Sequence, residues 1–288
     1  MTTSVLVPSS LVRETTDKRA ATLKLGYVAR AAAVFRADRL GVFPDPEGEN
    51  RWGGGFVEVV LRYAATPPYL RKEVFGTRDE LEYAGVLPPL RLSAWTGSES
   101  SGSGSLRQGV VTQVGSDGRV RVNCGMQHPI SLHLPSERTV TEGERVTIRV
   151  SSRRPVRAKL LDRSPPGFAV ERVDLRDALD RPDAGVRIAT SRHGTPITAS
   201  TAGEWATRGA ADGLTVAFGA PGRGLPAMLD LEPSALGASP PPVSETRPDT
   251  DHPGGFDAWL NTIPDQGSEV VRTEEAMFVS LAHLTLTE

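Results

Sequence analysis

The first ninety residues show two kinds of hydrophobic pattern that follow each other in turn. Short apolar runs at residues 4–8 and 40–43 predict buried strands. Apolar residues recur three or four positions apart over residues 17–37 and again over 56–65, and this spacing predicts two amphipathic helices. A pair of prolines ends the second helical pattern. The strand–helix–strand–helix order indicates an α/β domain built on a parallel sheet.

The pattern changes to strict alternation in the middle of the chain. Behind a Gly/Ser-rich stretch at residues 98–105, five short segments with apolar residues at every second position lie between residues 110 and 160. Five short strands of this kind are typical of a small barrel, and an OB-fold is the most economical choice. We therefore predict an OB-like β-barrel over residues 91–165, inserted into a discontinuous α/β domain formed by residues 1–90 and 166–288.

The helical and strand patterns of an α/β domain return after the barrel. Compact apolar runs at residues 186–189 and 215–218 predict two more buried strands, each followed by a loop that contains glycine. Residues 237–255 are rich in Pro, Gly, Ser and Asp, which favours an exposed loop. A last helix is predicted over residues 276–284, because acidic residues suited to a helix N-terminus precede it.

Composition narrows the class of protein. The chain has 288 residues, a formal net charge of −2 and one cysteine, so an intramolecular disulfide and a cysteine-based zinc site are excluded. The five histidines show no paired metal spacing, and we predict no metal. No apolar run approaches the roughly 20 residues of a membrane span. The first nine residues lack the layout of a signal peptide, so we expect a cytoplasmic protein without a membrane partner.

Three loops are the candidates for chemistry: residues 190–194, 218–222 and 261–276. Each follows a predicted strand, and open α/β sheets bind ligands at the carboxyl ends of their strands. Their glycines permit a close approach of backbone to a ligand. The chain contains neither a phosphate-binding loop ending in Gly-Lys-Ser/Thr nor a Gly-x-Ser-x-Gly elbow. A neutral, backbone-lined pocket suits adenosine carrying a sulfonium better than a diphosphate, although the second loop alone is equally consistent with a plain strand–helix turn.

The third loop carries a specific resemblance. Asn261-x-x-Pro264-x-Gln266-Gly267-Ser268, leading into residues 272–276, resembles the signature of the SPOUT-class, α/β-knot RNA methyltransferases. Residues 67–72 and 81–90 are similar to further blocks of that family. The resemblance implies a SPOUT-type trefoil-knot methyltransferase domain interrupted by the small all-β barrel. It also implies S-adenosyl-L-methionine as cofactor, a homodimer, and methylation of N3 of a uridine in large-subunit rRNA.

The resemblance further implies that the three loops form the cofactor pocket. The residues expected to contact S-adenosylmethionine are Thr190, Ser191, Gly194, Phe218, Gly219, Pro221, Gly222, Asn261, Ile263, Pro264, Gln266, Gly267, Val271, Thr273 and Ala276.

Methylation at N3 of uridine sets a chemical requirement, because this nitrogen carries a proton at neutral pH. Glu274 and Glu275 are candidates for the general base. Arg192 or Arg272 could offset negative charge on a uracil oxygen. The alternative is that both glutamates only stabilise the helix N-terminus beside Arg272, and that Arg192 is a surface arginine.

Two basic groups are candidates for RNA contact. Cations at the end of the barrel comprise Arg149, Arg153, Arg154, Arg157, Lys159 and Arg163, and those near the first helix comprise Arg13, Lys18, Arg19 and Lys24. Phosphate contacts would suit both groups, and a solvated face is the alternative for each. The barrel favours RNA, since OB-folds commonly bind single strands. It has few aromatic residues for base stacking, which argues against strong binding by the barrel alone.

Two other functions remain compatible with these patterns. One is a non-catalytic RNA-binding or ribosome-assembly factor that retains the knot as a scaffold. The other is a small-molecule or nucleotide-binding enzyme of doubly wound topology, although the chain lacks an ordered Gly-x-Gly-x-x-Gly fingerprint. The nucleotide that stays bound or shifts the melting temperature would separate all three functions, and titration with S-adenosylhomocysteine is the most informative test.

Overall fold

The structure of the chain is a computed structural model. The structure describes residues 1–92, 105–116, 118–134, 139–153, 156–163, 165, 167–236 and 253–286. Most of the two predicted loops, at residues 98–105 and 237–255, lies outside the described residues.

Six strands form a single parallel sheet. In spatial order they are β11 (Ala258–Asn261), β9 (Val186–Pro196), β10 (Leu214–Ala217), β1 (Thr3–Pro8), β2 (Arg39–Phe43) and β8 (Ala169–Arg172). Every neighbouring pair is parallel, which confirms the predicted α/β class with a parallel sheet. All four residues of β10 and the last five of β1 are buried. Sheets of this kind are covered on both faces, which explains why their strands read as short continuous apolar runs.

Seven helices connect or follow these strands in the described residues. They are α1 (Lys18–Val34), α2 (Gly54–Ala65), α3 (Pro68–Phe75), α4 (Leu175–Leu179), α5 (Ala199–Asp212), α6 (Leu225–Met228) and α7 (Thr273–Leu284). Asp17 caps α1, since its side chain accepts a hydrogen bond from the Ala20 amide at 2.7 Å. The proline pair that ends α2 also starts α3, because Pro68 occupies its first turn, where no amide donor is needed. The last helix, α7, packs against α1 and α5.

Five further strands form an antiparallel sheet whose two ends approach each other. In spatial order they are β5 (Ile130–His133), β4 (Arg119–Asn123), β3 (Ser105–Val114), β6 (Arg145–Arg153) and β7 (Val156–Leu161). β5 and β7, at opposite ends of this order, lie close together, so the sheet is nearly closed. Its core contains Val122, Ile148 and the buried Cys124. All five strands predicted from the alternating pattern are present.

The chain divides into two compact units. One comprises Met1–Arg62, Glu82–Pro88 and Phe168–Glu288, and the other comprises Tyr63–Leu81 and Pro89–Gly167. The second unit therefore includes α3 as well as the antiparallel sheet. The sequence-based division places Tyr63–Leu81 with the α/β part instead, and its boundaries stay a prediction.

Hydrogen bonds connect α3 and its flanks to the antiparallel sheet within the second unit. The Tyr69 hydroxyl donates to the Gln108 carbonyl at 3.2 Å, and Arg145 donates to the Ala65 carbonyl at 3.5 Å. Because these partners lie about 40 positions apart or more along the chain, local hydrophobic periodicity does not predict these hydrogen bonds.

Membrane-spanning helices and metal-binding clusters are both absent from the described residues. None of the helices there has the length and apolar character needed to cross a membrane. No three His, Cys, Asp or Glu side chains in the same residues lie close enough together to hold a metal ion.

Candidate functional site

The three candidate loops meet at the carboxyl edge of the parallel sheet. They belong to β9, β10 and β11, which are neighbours in the sheet. Together they surround a cavity of about 420 Å³. This volume lies within the range of about 300–1,000 Å³ that is usual for small-molecule sites.

The first loop is an excursion from β9. The pairing of β9 with β11 runs from Ala189 opposite Trp259 directly to Thr195 opposite Leu260, so residues 190–194 leave the ladder. A β-carbon at Gly194 would lie 2.7 Å from the Trp259 carbonyl carbon. Only glycine permits this return of the chain against β11.

The second loop is a tight turn after β10. Ala220 and Arg223 exchange two backbone hydrogen bonds of 2.9 and 3.0 Å. Pro221 precedes Gly222, whose φ of +71° matches a type II turn with proline and glycine at its centre. A β-carbon at Gly219 would lie 2.8 Å from the Gly224 α-carbon, so glycine is needed there to fold the loop on itself.

Side-chain hydrogen bonds hold the three loops together. The Thr190 hydroxyl donates to the Ala217 carbonyl at 2.9 Å, which ties the first loop to the end of β10. Asn261 donates from its side-chain amide to the Arg192 carbonyl at 3.2 Å, which ties the third loop to the first. The Thr273 hydroxyl donates to the Gly219 carbonyl at 2.9 Å, which ties the start of α7 to the second loop. The cavity wall is therefore pre-organised.

The cavity wall combines apolar and polar residues. Phe218, Pro221, Ile263, Val271 and Ala276 supply apolar surface. Gln266 lines the wall but already donates to the Ser268 carbonyl at 2.8 Å. The charged or titratable lining residues in the described part of the chain are Arg192, His193, Arg223 and Glu269.

Arg223 is held by carboxylates from a distant part of the chain. Its Nε donates to Asp45 at 3.0 Å, and its Nη2 donates to Glu47 at 2.9 Å. Asp45 is 4% exposed and also accepts from the Ser10 hydroxyl at 2.5 Å. Sequence reasoning missed this group, because Arg223 and Asp45 are separated by 178 positions and no local motif connects them.

Most of the predicted cofactor contacts converge on the cavity. Those that line it are Thr190, Ser191, Phe218, Gly219, Pro221, Gly222, Asn261, Ile263, Gln266, Val271, Thr273 and Ala276. Gly194, Pro264 and Gly267 are absent from the lining. Gly194 is buried behind the wall, whereas Pro264 and Gly267 are exposed, and a β-carbon at Gly267 would meet open space.

The three predicted catalytic residues are divided between two places. Arg192 is exposed and lines the cavity, where its Nε donates to His193 Nε2 at 3.3 Å. Glu274 and Arg272 instead line a separate cleft beside α1. Within one chain, this placement gives no support to Glu274 as the base of a reaction in the cavity.

Glu274 is buried against a lysine. Glu274 is 8% exposed, and its Oε2 lies 3.6 Å from Lys24 Nζ. This oxygen has no hydrogen-bond partner among the described residues. Burial raises the pKa of Glu274, and the positive charge of Lys24 opposes that rise. Glu275 is exposed and accepts from the Arg272 amide at 2.9 Å, which is the helix-capping role named as its alternative.

The residues predicted to contact RNA also differ in their surroundings. Arg149, Arg157, Lys159, Arg163 and Arg19 are exposed, Arg13 is half-buried, and Lys18 pairs with Glu82 at 3.3 Å. Lys24 was expected at an RNA-facing surface, and this expectation is wrong: its side chain is 5% exposed and pairs with Glu14 and Glu274. Arg153 ends β6, and Arg154 lies outside the described residues.

Fold and site together define the class of protein. A parallel α/β sheet carries a pre-organised cavity at its carboxyl edge, and the chain also contains an antiparallel unit. The chain belongs to a family described as "Putative RNA methyltransferase", whose model matches residues 2–284. The resemblance to RNA methyltransferases noted on the third loop is thereby confirmed.

The relatives of this chain include archaeal and animal proteins. Proteins described as uncharacterised from Halobacterium salinarum and Haloarcula marismortui are 73% and 66% identical, over the full length of both chains in each case. The human 28S rRNA (uridine-N3)-methyltransferase is 28% identical over 319 aligned positions, which cover 98% of this chain and 77% of the human protein.

Proposed function

We propose that this protein transfers a methyl group from S-adenosylmethionine to RNA, and that the acceptor is N3 of a uridine in large-subunit rRNA. The observation that carries the proposal is the cavity formed by three loops that are hydrogen-bonded to one another. Membership of the RNA methyltransferase family supports the reaction class. The name of the human relative supports the acceptor atom. With rRNA as substrate, we expect the protein to act in the cytoplasm.

The residues on the cavity wall fit S-adenosylmethionine. Apolar surface from Phe218 and Ile263 suits an adenine ring, whose edge would meet backbone groups of the loops. Glu269 has the charge needed to meet the ammonium of the methionine part. When bound, this cofactor supplies an electrophilic methyl group.

The chain's own residues provide for charge and proton on the acceptor. Removal of the N3 proton places negative charge on the uracil oxygens, and Arg192 at the cavity wall is placed to stabilise that charge. His193 and Glu269 are the described wall residues that could accept the proton. We propose Arg192 as the catalytic residue. Glu274 and Arg272 line the second cleft, and we propose no catalytic role for them.

The finer features of the fold belong to the same proposal. The strand order β5-β4-β3-β6-β7, with β5 close to β7, supports an OB-like barrel. The C-terminal segment crosses against the second loop at Thr273, which is consistent with the trefoil knot that the family resemblance implies. We also propose a homodimer, because α1 exposes Leu23, Tyr27 and Val34 on one face.

Calorimetry with S-adenosylhomocysteine tests the cofactor site. The native protein should bind, and Gly219→Ala should weaken binding by roughly tenfold or more, because the new methyl group forces the second loop to move. Gly267→Ala is the matched control: its methyl group meets open space, and binding should stay within about twofold. Equal affinities for both variants would remove the cavity assignment.

Nucleoside mass spectrometry tests the reaction. The large-subunit rRNA of a deletion strain should lack one 3-methyluridine, and the purified protein with S-adenosylmethionine should restore it. If no methylated nucleoside disappears on deletion, the assembly-factor function takes the place of the enzyme.

A further inference from the structure

Three exposed cations lie side by side on the antiparallel sheet. Arg149 on β6 is directly opposite Lys159 on β7, and Arg157 lies two positions before Lys159 on the same face of β7. We name these three residues the β6–β7 cation cluster. None of them forms an ion pair with any residue that the structure describes.

This arrangement costs stability in the absence of an anion. Side chains directly opposite each other in an antiparallel pair have β-carbons about 5 Å apart, and like charges in that position repel. Residues two apart on one strand lie about 6.6 Å apart on the same face, so Arg157 adds to the repulsion. Since the described part of the unit supplies no carboxylate to this cluster, an anion from outside the chain is the natural counter-charge.

The antiparallel sheet lacks the side chains that usually stack on bases. Residues 96–167 contain no Phe, Tyr or Trp. Proteins that hold single-stranded RNA on an OB-type barrel gain much of their affinity from bases stacked on aromatic rings. Here the exposed neighbours of the cluster are Ser151 and Val156, which offer neither an aromatic face nor a bidentate amide for a base edge.

We infer that the β6–β7 cation cluster binds the sugar–phosphate backbone of base-paired RNA and does not read bases. In a double helix the phosphates lie outside and the bases are already stacked on one another, so cations alone suffice for contact. This inference rests on the proposed function, since it gives the antiparallel unit its part in holding the rRNA. Recognition of the target uridine then belongs to the parallel α/β unit.

Fluorescence anisotropy with the full chain tests the inference. The probes are a 20-base-pair RNA duplex and an unstructured single strand of the same length, without a methyl donor. The native protein should bind the duplex at least as tightly as the single strand. The double variant Arg149→Gln/Lys159→Gln should weaken duplex binding about tenfold or more and reduce the slope of log K against log salt by about 1.8. The single variant Lys159→Gln should show an intermediate loss.

A charge-matched control separates contact from general electrostatics. Lys72→Gln/Arg176→Gln removes the same two charges from exposed positions elsewhere and should stay within about twofold of the native protein. A native preference for the single strand, a cluster variant that binds duplex normally, or equal losses in both double variants would overturn the inference. S-adenosylhomocysteine binding, measured in every variant, reports that the chain is folded. Failure of methyl transfer would leave the duplex binding intact, so the two proposals fail separately.

Discussion

Glu274 shows how the neighbours of a single residue decide its role. In a linear motif it stands one position from Thr273, yet Thr273 lines the cavity and Glu274 lies in another cleft against Lys24. Its carboxylate is buried and its pKa is raised, first by desolvation. The folded chain therefore holds the Glu274 proton more tightly than the unfolded chain, which makes stability depend on pH.

The variant Glu274→Gln should reveal this dependence. Glu274 contributes stability below its ordinary pKa, and that contribution is lost as pH rises through the raised folded value. The native protein should therefore lose stability relative to the variant as the pH rises above about 4.3, the ordinary pKa of a glutamate. Denaturant unfolding at several pH values measures the difference. Methyl transfer should remain within about threefold, since Glu274 lies outside the cavity.

The exposed neighbour Glu275 provides the control for this pH series. Glu275→Gln changes the same helix turn but keeps Glu274 and Lys24. Its stability relative to the native protein should therefore show no such trend with pH. A loss of activity of 100-fold or so in Glu274→Gln alone, with normal cofactor affinity, would restore Glu274 as the base.

Arg192 is the residue on which the proposed chemistry most depends. Arg192→Ala should lower the rate of methyl transfer by roughly 10²-fold, because a positioned cation no longer offsets the charge of the uracil anion. Single-turnover kinetics measures the rate, and calorimetry should show nearly normal affinity for S-adenosylhomocysteine. Arg176→Ala, at an exposed position on α4, is the control. A variant that keeps its full rate would remove Arg192 from the mechanism.

At the scale of elements, the start of α7 is the part of the helix that builds the site. The Thr273 hydroxyl is the described link from α7 to the second loop. Thr273→Val keeps the shape and removes that hydrogen bond, so we expect about 1 kcal/mol lower stability and a five- to tenfold weaker affinity for S-adenosylhomocysteine. Thermal unfolding and calorimetry measure the two effects.

Thr285, just past the other end of α7, supplies the matched control. Its hydroxyl donates to the Leu281 carbonyl at 2.6 Å and is not part of the cavity lining. Thr285→Val should therefore lower stability by a similar amount and leave cofactor affinity unchanged. If both variants weaken binding equally, the link to the second loop is not what shapes the cavity.

At the scale of the whole molecule, the exposed apolar face of α1 bears on the proposed homodimer. Leu23, Tyr27 and Val34 are 36%, 44% and 50% exposed. We expect light scattering of the native protein to report twice the chain mass of 30.8 kDa. Leu23→Asp/Tyr27→Asp should produce monomers, because burying two carboxylates in an apolar interface is unfavourable.

Val156 tests whether any exposed apolar residue would have the same effect. It is 46% exposed on β7, and Val156→Asp should leave the native mass unchanged. If the native protein is monomeric across micromolar concentrations and still transfers methyl groups, the proposed homodimer is contradicted.

The sequence by itself determined most of the strands, three of the helices and the location of the site along the chain, but not β8, β11 or α3 to α6. Apolar runs and alternation record which faces of a strand or helix are buried, so the predicted strands of both sheets and the helices at 17–37, 56–65 and 276–284 correspond to observed elements. Glycine-containing loops behind three strands located the cavity walls, because parallel strands present their carboxyl ends at one edge.

Only the tertiary structure decided which side chains meet in the cavity. The excursion of residues 190–194 from β9 depends on its register with β11, about 70 positions later. The pairing of Arg223 with Asp45 depends on which strand ends adjoin. Thr273 and Glu274 point to different clefts because successive residues of a helix are rotated by about 100°. Local periodicity encodes burial of a face, whereas contacts between distant segments follow from strand order and packing, which no short stretch of sequence contains.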